Sequence, residues 1–266
     1  MSIKNKRYGK VEYLKADGIK VPHCFTTRIG GVSEGIFESM NIGMHRGDDP
    51  AKVEENYRIL GKCIGFELED LVLTRQTHSD IVRKVGRADC AWIDHREYPE
   101  CDALITNEPG VGLVIFTADC TPILLHDPVT GAVGAVHAGW RGTAAGIAKK
   151  CVEAMVAEYG CNPADIHAAI GPNIGQCCFE TDKDVPDALI AALGSEAEEF
   201  IEVWDGKYHP DLKEINGLWL EKAGVKNIEI SISCTACRPD RFWSHRVTHG
   251  ERGSQGAIIL CREVAK

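Results

Sequence analysis

The strongest apolar run in this chain, Val111 to Phe116, is six residues long and already interrupted by Gly112. A helix that crosses a bilayer needs about 20 such residues in a row, so no membrane span is expected. The other apolar segments are equally short. Residues 71–74, 81–85, 111–117, 122–126, 132–137, 166–170, 228–232 and 257–261 are rich in Val and Ile and bounded by Gly, Pro or Asp, which predicts strands. Three stretches carry helical spacing instead. Asp48-Asp49-Pro50 offers an N-cap and a first-turn proline ahead of Val53, Tyr57, Leu60 and Ile64, with Gly65 as the stop. Ile147, Cys151, Met155 and Tyr159 form an i, i+4 stripe, widened by Val152 and Val156 and ended by Gly160. Leu212, Ile215, Leu218, Trp219 and Lys222 repeat the pattern before Gly224. Strands outnumber helices, and several follow one another with no helix between. That pattern predicts an α/β (α+β) fold, a sandwich of mixed β-sheets with flanking helices. Without a repeat, a linker or a break in composition, residues 1–266 read as one domain.

Composition narrows the partners. Hydrophobic residues at 44% and charged residues at 26% suit a globular chain. A formal charge of −9 argues against a polyanion as main partner, so no nucleic acid is expected. A small anion held by a local arginine pocket stays compatible with it. Basic residues at the N-terminus are not followed by an apolar segment, which predicts a cytoplasmic protein with no secretory signal. The 12 cysteines then read mainly as buried small hydrophobes. Cys234-Thr235-Ala236-Cys237 lacks a second pair at zinc-ribbon spacing, so no structural zinc is expected there. Adjacent Cys177 and Cys178 read as packing residues.

Chemistry-bearing residues concentrate in three segments that end or flank strands: 74–80, 117–122 and 136–142. Loops at strand ends are where a rigid scaffold presents reactive groups. Gly139 and Gly142 around Trp140-Arg141 permit a tight turn into a helix starting near Thr143, and such a helix N-terminus favours an anion. His78, Cys120 and His137 lie too far apart for any short ligand spacing. On their own they read equally well as a surface histidine, a buried thiol and a strand-end histidine. His245 and His249 stand at i, i+4, but their surroundings read as loop. Neither a P-loop nor a dinucleotide-binding glycine motif occurs.

Taken together, the motifs resemble a known family. They are Phe25-Thr26-Thr27-Arg28-Ile29-Gly30-Gly31, residues 41–50 around His45-Arg46, Gln76-Thr77-His78-Ser79, and Thr117-Ala118-Asp119-Cys120-Thr121-Pro122. Further on come His137-Ala138-Gly139-Trp140-Arg141-Gly142, residues 170–180 around Cys177-Cys178-Phe179-Glu180, and Phe242-Trp243-Ser244-His245-Arg246. In this order, across residues 22–262, they are similar to the YfiH-like, or laccase-domain, family. Two departures stand out: Cys101 before Asp102 where Ala is usual, and His245 where Tyr is usual. The resemblance implies a YfiH-like α/β sandwich of mixed sheets. It also implies a zinc-dependent purine nucleoside phosphorylase, acting on adenosine, guanosine, inosine or methylthioadenosine with phosphate, that also deaminates adenosine.

Carried over to this sequence, His78, Cys120 and His137 would be the zinc ligands. A His₂Cys set leaves one coordination position open, as catalytic zinc requires. Zinc there would lower the pKa of bound water to about 7. Arg28 and Arg141 are the candidates for binding phosphate, because a guanidinium fork matches its oxygens. Gln76 and Arg246 are further substrate-binding candidates, and Asp119 reads either as a group that orients a ligand or moves a proton or as a strand-end structural cap. Trp140, Phe179 and Phe242 read first as core packing, with stacking on a base as the alternative. Copper is compatible with a thiolate site, but multicopper chemistry draws on His-x-His pairs, and none of the ten histidines forms one. Two rival readings use the same residues. One is a metal-free hydrolase or amidase with Cys120 as nucleophile, His137 as base and Gln76 or Asp119 as orienter. The other is a non-catalytic, zinc-stabilised interaction module, which predicts a closed site and a large exposed apolar patch.

Overall fold

In a computed structural model that describes residues 2–90 and 98–263, two six-stranded sheets stack face to face. The first has the order β1 (Ile3–Tyr8), β2 (Val11–Ala16), β3 (His23–Thr26), β14 (Gln255–Leu260), β7 (Gly112–Thr117), β4 (Leu71–Leu73). The second runs β13 (Asn227–Ile230), β10 (His167–Ile170), β8 (Thr121–His126), β9 (Val133–Ala138), β6 (Ala103–Thr106), β5 (Val82–Lys84). Each is mixed: β4 pairs parallel with β7, β13 with β10 and β5 with β6, while the remaining pairs are antiparallel. A small ribbon joins β11 (Ile201–Trp204) to β12 (Lys207–Pro210).

Side-chain alternation partitions the core. In β7, Leu113 and Ile115 point into the inter-sheet layer, where they meet Leu124 of β8 and Ala135 of β9. Val114 points the other way, onto α1 (Pro50–Ile64) through Val53, Tyr57 and Leu60. On the second sheet Ile123 and Leu125 face outward onto α3 (Ile147–Tyr159), which buries Cys151, Val152 and Met155. Strands covered on both faces read as continuous apolar runs, which explains why β7, β8, β9 and β14 are legible. Each fully buried Leu or Val contributes about 1.5–3 kcal/mol.

The expected helices form where their signals lie. Asp49 caps α1 by accepting from the Ala51 N–H at 2.9 Å, Pro50 opens it and Gly65 ends it. Asp211 caps α5 (Leu212–Lys222) in the same way. All eight expected strands are present, but β13 stops at Ile230, and Ile232, expected inside it, is fully exposed. The helix expected near Thr143 is two pieces: a single turn, α2 (Trp140–Ala144), and then α3. Sequence reading missed β1, β2, β3, β6, the β11–β12 ribbon and α4 (Asp184–Leu193). No helix among the described residues is long and apolar enough to cross a membrane.

Candidate metal centre and adjoining cleft

Strand register brings the three sequence candidates together. In the β8–β9 pair Thr121 stands opposite Ala138. Carrying that register one step further sets Cys120 against Gly139, with His137 alongside. His78 arrives from the loop between β4 and β5, in a left-handed conformation with φ 61°. The Cys120 Sγ and His78 Nε2 are 3.9 Å apart, and the two imidazoles meet edge to face with ring centroids at 5.0 Å. The three ligand atoms all lie within 4.8 Å of one another. Gly139 makes this possible. A Cβ at that position would lie 2.8 Å from His78 Cδ2 and 3.3 Å from the Cys120 sulfur.

Asp102, which sequence reading noted only as a neighbour of Cys101, organises the centre. One step beyond β6, it is fully buried beside His137. The His137 Nδ1–H donates to Asp102 Oδ1 at 2.7 Å, which leaves Nε2 free to face the cluster. The same carboxylate accepts backbone N–H groups from Thr77 and His78 at 3.1 Å and from Ser79 at 2.7 Å, and the Ser79 hydroxyl at 2.7 Å. One buried carboxylate therefore fixes both histidines. Burial pushes its pKa up, but hydrogen bonds from His137 and Ser79 outweigh that and hold it at about 2.

Cys120 and His137 polarise each other. Burial raises the Cys120 thiol, yet His137 and His78 pull it down to about 6. Burial lowers His137, yet the Cys120 thiolate and Asp102 raise it to about 9. Each group thus favours the charged form of the other. The donor set suits a divalent zinc ion: two imidazole nitrogens and a thiolate, with one histidine oriented by a carboxylate.

The cluster opens into a cleft of about 400 Å³ lined by Arg46, His78, Asp119, Cys120, Ile174, Phe179, His245, Arg246 and Arg252. A recess of about 100 Å³ adjoins it and adds Gln76, His137 and Ser254. Such a volume is in the range of small-molecule sites, ~300–1,000 Å³. Two further clefts, of about 450 and 540 Å³, are lined by neither His nor Cys.

Sequence reading missed two arginines. Arg46 and Arg252 share the cleft, and Arg252 is only 9% exposed. The Arg252 Nη1 donates to Gly253 O at 2.8 Å and Ser254 Oγ at 3.1 Å, while its Nε is buried with no partner. Burial and the Arg46 charge lower Arg252 to about 10, against the pull of Asp119 and Cys120. Among the described residues no carboxylate forms an ion pair with either guanidinium. A buried Arg252 beside an exposed Arg46, neither bound directly by a carboxylate, makes this end of the cleft a candidate anion site. The signal in the sequence was an arginine between glycines, Gly250-Glu251-Arg252-Gly253, and the His45-Arg46-Gly47 turn.

The other candidates are placed as follows. Arg28 lies over the Trp243 ring at 3.9 Å and donates to Pro239 O, and Arg141 lies exposed over Trp140 at 4.2 Å; neither lines the cleft. Gln76 reaches the recess, but its amide is engaged by the backbone of Phe116 and by Thr74. Asp119, with φ 85°, accepts from Thr235 Oγ1 at 2.6 Å, Ser244 Oγ at 3.0 Å and the Arg246 N–H at 2.7 Å. It holds the 235–246 segment over the cleft. Arg246 lines the cleft with its guanidinium anchored on the carbonyls of Cys178 and Glu180, 5.9 Å from the Phe179 ring centroid. Phe179 lines the cleft, whereas Phe242 is buried in the inter-sheet core and Trp140 packs against α4. His245 belongs to a one-turn helix, α6 (His245–Thr248), rather than to a loop, because Ser244 caps it by accepting from Val247 N–H. The reading of Cys234 and Cys237 as a lone pair is also overturned: Cys177 and Cys178 gather with them.

With this geometry in place, similarity to known proteins can be stated. A family model described as multi-copper polyphenol oxidoreductase laccase matches residues 22–262. The chain belongs to this family. A relative named purine nucleoside phosphorylase YlmD, from Geobacillus stearothermophilus, is 42% identical over 244 residues, covering 90% of this chain and 89% of that one. The crystal structure of YlmD from the same organism superposes with a TM-score of 0.91 at 39% identity, covering 97% of this chain and 99% of that one. The crystal structure of a Bacillus licheniformis hypothetical protein, YfiH, gives a TM-score of 0.88 at 36% identity, covering 96% and 98%. The family's YfiH-like sandwich is thus the fold observed. The laccase description finds no echo in the histidines: among the described residues, His78, Cys120 and His137 are the single cluster that combines histidine with another ligand.

Proposed function

We propose that this protein is a zinc-dependent purine nucleoside phosphorylase. The observation that carries the reading is the placement of Arg46 and Arg252, neither in an ion pair among the described residues, in the same cleft as His78 and Cys120, two members of the candidate metal cluster. Phosphorolysis needs both an anion held in place and a polarising centre beside the nucleoside. The relatives' name, purine nucleoside phosphorylase, supports it.

His78, Cys120 and His137 would hold the zinc, which when bound supplies a Lewis acid with an open position toward the cleft. Arg46 and Arg252 bind phosphate through guanidinium forks. They orient one oxygen toward the anomeric carbon, so that the C1′–O bond forms as the C1′–N glycosidic bond breaks and the proton of the hydrogen phosphate passes to the departing base. Phe179 and Ile174 offer an apolar wall for the purine, and Arg246 steadies Phe179. Burial and the nearby Arg252 lower His245, which favours a neutral imidazole that donates or accepts a hydrogen bond at the cleft wall. Arg28 and Arg141 have no such place, and the phosphate role assigned to them falls to Arg46 and Arg252. Adenosine deamination and cleavage of methylthioadenosine would use the same cleft. Incubation with adenosine, with and without phosphate, tests this. Adenine and ribose 1-phosphate appearing only with phosphate establish phosphorolysis, and inosine establishes deamination. Neither product, at any zinc loading, removes the proposal.

A second reading has its own support. The Cys120 thiolate, His137 and Asp102 form a nucleophile–base–orienter series, with Asp102 rather than Gln76 or Asp119 as the orienter. A metal-free amidase would keep full activity after exhaustive chelation; the zinc enzyme would not.

A further inference from the structure

Four cysteines from two loops meet next to the segment that carries Phe179. Cys177 and Cys178 lie in the turn after β10, Cys234 and Cys237 in the loop after β13. The Cys177 and Cys237 sulfurs are 3.6 Å apart, those of Cys178 and Cys237 3.4 Å, and all four lie within 4.8 Å of one another. These separations are far beyond the ~2.05 Å of a disulfide. They approach the ~3.8 Å edge of a tetrahedron built on Zn–S bonds of about 2.3 Å. No carboxylate or histidine belongs to the group, so the donor set is four soft sulfurs.

The contacts around Cys234 favour a thiolate there, while burial raises Cys177 and Cys178. The Gly175 N–H donates to Cys234 Sγ at 3.1 Å, which stabilises a thiolate. Gly175 eases this approach: a Cβ there would lie 3.3 Å from Cys177 Sγ and 3.2 Å from Cys234 Cβ, a tight contact. Lys213 is buried, with Nζ donating to Ser233 O at 3.2 Å, and its charge interacts with Cys234 and Cys177. A buried ammonium is the complement that an anionic tetrathiolate centre needs.

We propose that Cys177, Cys178, Cys234 and Cys237 form a second, closed zinc site, a Cys₄ staple distinct from the centre in the cleft. It clamps the loop that carries Ile174 and Phe179 onto the segment whose Thr235 binds Asp119. The Asn173–Cys234 bridge and the Thr235 N–H donated to Asn173 O at 2.9 Å follow the same seam. Arg246 extends it to the cleft through Cys178 O at 3.0 Å. The staple's role is structural and independent of which reaction the cleft performs.

Metal analysis and zinc X-ray absorption on the reduced, zinc-equilibrated full chain test this. Two zinc ions per chain are expected, one with four sulfur neighbours and one with mixed nitrogen and sulfur. The double variant His78→Ala/Cys120→Ala should retain one zinc with sulfur neighbours alone, and its cobalt form should show intense thiolate-to-metal charge-transfer bands. Cys177→Ser/Cys237→Ser should retain the mixed site and lose thermal stability. A single zinc with mixed neighbours in the wild type overturns the staple, whatever the cleft does. So does free alkylation of Cys177 and Cys237 in zinc-loaded protein. A single zinc with only sulfur neighbours supports the staple and instead refutes the metal centre of the cleft.

Discussion

His137 and Asp102 face each other where β9 and β6 run out, the imidazole donating from Nδ1 to a carboxylate oxygen at 2.7 Å. That contact sets the tautomer of one candidate ligand, and the N–H groups of Thr77, His78 and Ser79 on the same carboxylate set the position of another. Asp102→Asn would oppose an amide NH₂ to these donors. Zinc affinity is expected to fall about 10–100-fold, as for other carboxylates that orient metal-bound histidines. Metal titration against a chromophoric chelator checks it, with circular dichroism to verify the fold.

The arginine pair predicts a selective defect. Arg252→Gln or Arg46→Gln removes a charged hydrogen-bond donor to an anion, typically about 1.5–3 kcal/mol, so the KM for phosphate should rise about 10–100-fold. The KM for nucleoside should change far less. Arg28→Ala and Arg141→Ala, away from the cleft, should leave the phosphate KM within about twofold, since neither loses a contact to the anion. Steady-state kinetics with each substrate varied separately the other way, a nucleoside defect without a phosphate defect, would contradict the assignment.

Gly139 is a test of packing rather than of charge. Its φ of −68° is open to any residue, so Gly139→Ala does not strain the backbone. The new methyl would displace the exposed His78 ring, 2.8 Å away. Zinc affinity should drop while the melting temperature of the metal-free protein stays nearly unchanged. An equal loss in both would show that Gly139 serves the fold and not the centre.

His23 carries a pH dependence unrelated to the cleft. Its Nε2 accepts the Ala16 N–H at 2.9 Å and its Nδ1 donates to Val21 O at 2.8 Å, so both nitrogens are committed to the neutral form. Burial, helped by Lys15, lowers its pKa from 6.5 to about 4 despite the Val21 hydrogen bond. The unfolded chain therefore takes up a proton on this residue before the folded one does. The stabilisation is present above pH 6.5 and is lost as pH falls toward 4, amounting to roughly 2 kcal/mol by pH 5. Urea unfolding of wild type and His23→Gln at pH 7 and pH 5 should show a smaller pH effect in the variant. Identical pH effects would sink this assignment.

How much of this was readable beforehand follows from where side chains point. β7, β8, β9 and β14 are covered on both faces and announce themselves as apolar runs. β1, with Lys4, Asn5, Lys6 and Arg7, is an exposed edge held by backbone pairing with β2, so its sequence carries no apolar signal. The cluster of His78, Cys120 and His137 rested on family resemblance, because the register that joins Cys120 to His137 is a property of strand pairing and not of spacing. Asp102 escaped notice for the same reason. The four-cysteine group was misread because its two halves are 57 residues apart, from Cys177 to Cys234, and a pairing rule based on short spacing cannot join them. Arg46 and Arg252 were hidden because their meeting in one cleft is decided by loops that have no periodicity.

The central claim is that a zinc centre and an anion site face one another across a single cleft. Crystals grown with zinc and phosphate, with data collected at the zinc absorption edge, test it most directly. The account predicts an anomalous peak bonded to His78, Cys120 and His137, with phosphate density between Arg46 and Arg252 in the same cleft. An empty ligand cluster, or phosphate bound at Arg28 or Arg141 instead, would contradict it.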